Sequence, residues 1–286
     1  MRALLLALVA GSFASPVVAA DDTYDLRGPA PKKGAVLTTK SVLKITDADV
    51  VLKVNEQEIK LTQSMTITNE EEETILEVKD REVVKTKAKI TKERIKTVTT
   101  LGGQDMSDEK TGDLEGQILS NERTKDGKWK ASLVDGAPTD EQKKDLAKRN
   151  GPENDDELYP SDKVAPGHKW EVDAAKMKSL TGNAFTDVSG KMKQKFVKIE
   201  KIDGDECAVI ETTGTIKGKI KGDDGETPDA ELKLTATGWR SLKTGVEIKA
   251  KFEGTIKISG KTKVDGEEVN MSLTGPIKGD STTMVK

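Results

Sequence analysis

Residues 191–220 read KMKQKFVKIEKIDGDECAVIETTGTIKGKI, and this stretch decides the fold class. Apolar and polar residues alternate over 191–202, an Asp-Gly turn follows at 203–205, and the alternation resumes over 207–220. Because successive side chains of a β-strand point to opposite faces, this pattern predicts two long strands joined by a tight turn. The tetrapeptide Gly-Thr-Ile-Lys at 214–217 recurs at 254–257, which predicts a second hairpin of similar design.

The same alternation recurs through most of the chain. Its regular spacing predicts an all-β fold, a large antiparallel curled sheet or half-barrel built from long meander hairpins with two short helices. A basic helix over 84–97 is the alternative to a strand over 83–99, but the β-branched residues of this segment favour the strand. The polar segment 103–113 is predicted to be a mobile loop. The predicted strands cover 36–45, 50–54, 58–67, 74–78, 83–99, 116–122, 129–134, 191–202, 207–220, 231–240, 246–259 and 269–273.

Two short helices are predicted in the middle of the chain. Thr139 and Gln142 have the spacing of a capping box, which predicts a helix over 139–149. Asp173 is suited to cap a second helix over 174–180. The chain from 21 to 286 is predicted to form a single β-rich domain, and two β lobes that meet near 150–165 are the alternative.

The first residues have the pattern of a secretory signal peptide over 1–20. Arg2 precedes an apolar run at 3–10, Pro16 follows, and small residues at 18–20 stand before two aspartates. The apolar run is shorter than the roughly 18 residues that a membrane span needs. We expect cleavage after Ala20, or alternatively after Ala19, and a soluble periplasmic or secreted product with no transmembrane anchor.

Residue types that support most metal and catalytic chemistry are scarce. His168 is the only histidine and Cys207 the only cysteine, so clusters of histidine and cysteine ligands are excluded, as is an intramolecular disulfide. His168 is predicted to be exposed and Cys207 to be buried in a strand. The acidic turn at 223–226 does not match the calcium-binding loop of an EF-hand. The sequence therefore identifies no catalytic, cofactor-binding or metal-binding residue.

Charge and aromatic content argue against two classes of partner. The isoelectric point is about 5.6, and the basic segment 79–96 contains interleaved acidic residues and no aromatic residue to stack on bases, so no nucleic acid is expected. Trp129, Trp170 and Trp239 are scattered along the sequence. We expect them to pack in the core or on hairpins rather than to form an aromatic surface that binds a sugar.

Short turn and tryptophan motifs carry a family resemblance. They are Leu114-Glu115-Gly116, Asp126-Gly127-Lys128-Trp129, Leu158-Tyr159-Pro160 and Pro166-Gly167-His168-Lys169-Trp170. After a signal peptide and before a long meander, this arrangement resembles the exported β-rich proteins of planctomycete-type bacteria, which have no assigned function. More distantly, the long sheet with short helices is similar to the half-barrel of periplasmic lipoprotein carriers, a resemblance of fold that implies little about function.

The alternation leads to a functional hypothesis. One face of the predicted sheet is aliphatic, and two short helices cover only part of it, so the sheet must curl on itself, pack against a second sheet or leave an apolar concavity. We therefore expect an exported, non-enzymatic envelope or secreted protein, with an apolar or lipid-like ligand or an envelope component as its partner. One alternative is a structural or protein-interaction component of the envelope, and the other is a hydrolase that uses paired carboxylates. The oligomeric state stays open.

Overall fold

A computed structural model describes residues 22–54, 57–149, 151–152, 155–177, 185–220, 227–264 and 267–286. The predicted signal peptide, the predicted turns at 222–225 and 265–266 and the end of the second predicted helix lie outside the described residues. Within the described ranges, no helix is both long enough and apolar enough to cross a membrane.

The described residues form an open, curled sheet of 13 antiparallel strands. The strand order is β6-β5-β3-β2-β1-β13-β12-β11-β10-β9-β7, with β4 beside β3 and β8 beside β10. Strands near the two ends of the chain, β1 and β13, therefore pair in the middle of the sheet and join its two halves. The strands are β1 (Val36–Val54), β2 (Gln57–Lys79), β3 (Glu82–Leu101), β4 (Gln104–Thr111), β5 (Ile118–Arg123), β6 (Trp129–Leu133), β7 (Lys169–Asp173), β8 (Phe185–Ser189), β9 (Lys191–Ile202), β10 (Asp205–Ile220), β11 (Asp229–Ser241), β12 (Glu247–Val264) and β13 (Glu267–Val285).

Several predicted short strands are parts of longer ones. The predictions at 36–45 and 50–54 merge into β1 through a bulge, where Asp47 has a positive φ of 45° and Ala48 is fully buried. A bulge adds a residue without ending the ladder, so it interrupts the alternation without ending the strand. The predictions at 58–67 and 74–78 merge into β2 across the acidic residues 70–73, whose side chains reach both faces.

The prediction of a mobile loop at 103–113 is wrong. Residues Gln104–Thr111 form β4, which pairs with β3 through a turn in which Gly102 and Gly103 have positive φ values of 60° and 83°. All side chains of β4 are exposed, so no apolar alternation marks it as a strand. Further strands were missed or cut short: no strand range was predicted for β7 or β8, β12 continues to Val264 beyond the predicted end at 259, and β13 continues twelve residues beyond the predicted end at 273.

The helical content is one α-helix and two single-turn helices in the described part of the chain. Helix α1 (Asp140–Lys148) has the predicted capping box, in which the Thr139 hydroxyl accepts from the Gln142 amide and the Gln142 side chain accepts from the Thr139 amide. The 3-10 helices are Asp156–Leu158 and Ala174–Lys176, and Asp173 caps the second as predicted.

The two faces of the sheet differ in polarity. The face that carries the core is called the inner face, and the opposite face, rich in lysine, threonine and glutamate, is the outer face. Three clusters of buried side chains lie on the inner face, beneath residues 22–27, residues 155–177 and helix α1. The largest cluster contains Ala48, Val50, Leu158, Val172, Ala174, Met177, Met192, Ile216, Leu232, Leu234, Ile256, Leu273 and Ile277.

Two arginines tie the sheet to the segments that cover it. At the β2–β3 turn, the Arg81 guanidinium donates to Asp156 at 2.9 Å and to the Gly28 carbonyl at 3.0 Å. Arg240 on β11 is 4% exposed and donates to the carbonyls of Leu26 at 2.6 Å and Arg27 at 3.0 Å. The contacts of Arg81 with Asp156 and of Arg240 with Leu26 and Arg27 connect segments from different halves of the chain.

Candidate functional site

The apolar core continues across the inner face beyond its covering segments. Two cross-strand rows of apolar residues run side by side through β13, β1 and β2. One row joins Gly279, Leu43, Ile67 and Ile95, and the other joins Leu234, Gly254, Ile277, Ile45 and Met65. The ring of Phe252 lies against Gly279, where a Cβ atom would stand 2.4 Å from its Cε1, and so fills the gap in the first row. The term apolar band denotes Phe252, Leu43, Ile45, Met65, Ile67 and Ile95.

Exposure increases along the apolar band from its covered end to its open end. Leu234 and Ile277 are 4% and 5% exposed, Leu43 and Ile67 are half-buried, and Ile95 is 37% exposed. Cross-strand neighbours on one face lie about 5 Å apart, so these side chains form a continuous apolar surface. A contiguous patch of this kind is typical of a ligand or partner site, whereas isolated exposed apolar residues are not.

A row of small and polar side chains borders the apolar band on the same face. Ser41 pairs with Asn69 on one side and with Ser281 on the other, and Ser281 pairs with Ala250. Among the described residues, the side chains of Asn69, Ser41 and Ser281 make no hydrogen bond to the protein. Asn69, Ser41 and Ser281 are called the polar row. Their hydrogen-bonding capacity is available to water or to a bound molecule.

An acidic network stands at the β3 end of the polar row. Arg149, which follows helix α1, donates to Glu71 at 2.9 Å and to Glu93 at 3.4 Å, and Glu93 is the cross-strand neighbour of Asn69. Burial raises the pKa of Glu93, and the charge of Arg149 opposes that rise. One arginine therefore faces several carboxyl groups, and the network has an excess of negative charge.

Glu73 extends the acidic network towards β5. Its carboxyl accepts a hydrogen bond from Thr86 at 2.6 Å, and Thr86 in turn accepts one from Asn121 at 3.2 Å. Burial is the main cause that raises the pKa of Glu73 to about 7, and repulsion from Glu71 adds to it. The buried Asn121 Oδ1 has no hydrogen-bond partner within the described structure. A protonated Glu73 supplies a hydrogen-bond donor to this network.

A second charged group stands at the β11 end of the polar row. The Glu247 carboxylate lies over Gly238, where a Cβ would stand 2.2 Å from Oε2, and Gly238 is the cross-strand neighbour of Ala250. Part of the Glu247 side chain is exposed to solvent. The surrounding protein nevertheless limits the hydration of its carboxyl group, and this, together with repulsion from Asp155, raises the pKa of Glu247 to about 7. Arg240 opposes that rise and stacks over the Tyr159 ring at 4.1 Å.

The outer face carries open grooves lined by charged and hydroxyl side chains. The largest has a volume of 710 Å³ and is lined by Lys233, Lys278, Glu253 and four threonines, among other residues. Here the repeated tetrapeptides 214–217 and 254–257 lie in register on either side of β11. The repeat therefore builds two matching strands of one sheet, and the groove between them is polar rather than apolar.

The residues singled out by type in the sequence have structural roles. His168 is exposed as predicted and stacks on Trp170 at 5.9 Å. Cys207 is fully buried as predicted, and burial raises the pKa of its thiol. The Trp170 indole donates to the Leu158 carbonyl at 2.8 Å, whereas the Trp129 ring packs on Gly151.

The described residues group no set of metal ligands, and the carboxyl groups that do stand close together are those of the acidic network, Glu71, Glu73 and Glu93. In the part of the chain that the structure describes, no three His, Cys, Asp or Glu side chains are grouped so as to hold a metal ion. The carboxyl groups whose pKa is raised to about 7 belong to β2 and β12, which β1 and β13 separate in the sheet. Glycosidases place two such groups about 5–10 Å apart, and these strands are not adjacent. Sequence reasoning missed Glu73 and Glu247 because nothing distinguishes them among 50 acidic residues.

Neither a protein-family model nor a curated protein matches the chain. Among solved structures, a DUF1329 family protein from Desulfovibrio piger has a TM-score of 0.19 and 10% identity, over 88% of this chain and 84% of that chain. An outer membrane channel from Pseudomonas putida has a TM-score of 0.25 and 11% identity, over 90% and 97%. A domain described as an outer membrane lipoprotein-sorting protein, from Vibrio parahaemolyticus, has a TM-score of 0.18 and 10% identity, over 88% and 85%. TM-scores this low support no transfer of function to this chain.

Proposed function

We propose that this chain is an exported, non-enzymatic protein that binds an apolar or lipid-like ligand on the inner face of its sheet. The observation that carries the proposal is the apolar band, which adjoins the buried core where Ile45 pairs with Ile277 and ends at Ile95, 37% exposed. The signal-peptide pattern at 1–20 supports the export, since it is typical of proteins that leave the cytoplasm.

The band suits an elongated apolar molecule for a physical reason. Its residues come from neighbouring strands at the same level, so the band runs across the strands as a shallow, continuous surface. Removing apolar surface from water contributes about 25 cal/mol per Å². An acyl chain laid along the band would cover Leu43, Ile67 and Ile95 without any polar group of the band losing its hydration.

The test is binding of the neutral apolar dye N-phenylnaphthylamine, followed by its fluorescence, with a native mass spectrum of the protein purified from its source. Ile95→Lys and Ile67→Lys place a charge in the band and should weaken dye binding by about tenfold or more, which corresponds to about 1.4 kcal/mol. Met284→Lys is the matched control, because Met284 is an apolar residue on the outer face and is 54% exposed. It should leave dye binding unchanged.

Two outcomes would contradict the proposal. One is equal dye binding by the band variants and the control. The other is a clean mass without an adduct, no dye binding, and self-association that Ile95→Lys abolishes. The latter result would support the structural or protein-interaction alternative, with a second protein surface rather than a small molecule on the band.

A further inference from the structure

The polar row and its charged neighbours give the inner face an amphipathic design along the strand direction. Ile67, Leu43 and Gly279 lie in the apolar band, and two residues further along each strand stand Asn69, Ser41 and Ser281. Because alternate residues of a strand share a face, the apolar row and the polar row are direct neighbours. A chain bound on the band would therefore place its end beside two serines and an asparagine.

Carboxyl groups stand at both ends of the polar row, and they carry negative charge once the pH exceeds their raised pKa values. At one end, Glu93 is the neighbour of Asn69 and shares the single charge of Arg149 with Glu71. At the other end, the Glu247 carboxylate lies over Gly238. Gly238 pairs with Ala250 and Ala250 pairs with Ser281, so the Glu247 carboxylate stands two strands away from Ser281. A negative group at the polar row would face carboxylates on both sides, and like charges brought together in a binding site strongly disfavour a ligand.

We infer that the ligand is an amphiphile whose head group donates hydrogen bonds and carries no negative charge, and that this head group is held by Asn69, Ser41 and Ser281. The inference rests on the proposed function, since it places the apolar chain of the same ligand on the band. Serine hydroxyls and the asparagine amide both accept and donate, so they match a hydroxylated head group. The flanking carboxylates add acceptors and exclude carboxylate or phosphate heads.

The inference is tested by two ligands that share one acyl chain, monopalmitoylglycerol and palmitate, each used to displace N-phenylnaphthylamine from the full-length mature protein. Monopalmitoylglycerol should bind about tenfold more tightly than palmitate. Glu247→Gln removes one flanking charge and should increase palmitate affinity several-fold. The readout is the ratio of the two affinities, because a partly unfolded protein would expose apolar surface and bind both lipids more tightly.

A second pair of variants locates the head group. Ser41→Ala with Ser281→Ala should bring the affinity for monopalmitoylglycerol down to that for palmitate. Thr38→Ala with Thr282→Ala is the matched control, because these residues lie on the outer face of the same two strands. It should preserve the preference for monopalmitoylglycerol.

The outcomes separate the head-group inference from the proposed function. If the dye does not bind at all, the proposed function fails. If the dye binds and both lipids displace it equally, or palmitate displaces it better, the function stands and the head-group inference is overturned. The head-group inference is also overturned if the serine variants keep the preference for monopalmitoylglycerol.

Discussion

At the residue scale, the inner face holds ionisable groups whose environment opposes their charge. Glu73 is the clearest case, because its carboxyl is hydrogen-bonded to Thr86 and placed beside Glu71 while the surrounding protein limits its hydration. Its folded-state pKa of about 7 lies above the ordinary glutamate value of 4.5. A raised carboxyl pKa means that the folded chain holds a proton that the unfolded chain has released.

The sign of the resulting pH dependence follows from this linkage. The stabilising effect of the proton is fully present below about pH 4.5 and is lost as the pH rises through about 7, so the free energy of unfolding should fall over this interval. Glu73→Gln keeps a neutral group and should reduce the fall, while Glu247, whose pKa is raised in the same direction, maintains part of it. Urea unfolding at several pH values measures this slope. Glu72→Gln, on the outer face of the same strand, is the control, and equal slopes for both variants would contradict the assignment.

At the element scale, the sequence predicted long alternating strands well and irregular ones poorly. Strand β9 follows its alternation almost residue by residue, because one face is buried in the core, whereas β10 buries four consecutive residues, Cys207 to Ile210. The bulge in β1 and the acidic stretch of β2 interrupt the period, and β4 has no buried face at all. The site was predicted only as an aliphatic face that helices leave uncovered. Its polar row could not be predicted, since that requires the register that places Ser41 beside Ser281.

The same reasoning predicts how firmly each strand is held. Strand β4 is bound to the sheet through its ladder with β3 and has only exposed side chains, so no apolar burial supports it. Segments with few buried apolar contacts open locally at a lower free energy than the core does. We expect the amides of β4 to exchange with deuterium much faster than those of β10, measured by mass spectrometry on peptides from each strand. Equal protection of the two strands would show that β4 has support beyond its ladder.

At the scale of the whole molecule, the chain joins its two halves by pairing β1 with β13. This ladder runs from Leu37 opposite Val285 to Lys53 opposite Asn270, with one bulge. Further links cross between the halves where Arg81 contacts Asp156 and where Arg240 donates to the carbonyls of Leu26 and Arg27. A single domain over 21–286 remains a prediction, and these links favour it over two lobes that meet near 150–165.

Cooperative unfolding tests this domain organisation, because tryptophans lie in both halves. Trp129 on β6 reports on the first half and Trp170 on β7 reports on the second. One variant retains Trp129 alone through Trp170→Phe and Trp239→Phe, and the other retains Trp170 alone through Trp129→Phe and Trp239→Phe. In each variant the fluorescence transition in urea should coincide with the far-ultraviolet circular dichroism of the whole sheet, as a two-state domain requires. Comparing the two signals within one variant removes the effect of the substitutions on stability. If the fluorescence midpoint differs from the circular dichroism midpoint in either variant, the two halves unfold separately. The β1–β13 ladder would then be an interface between two lobes.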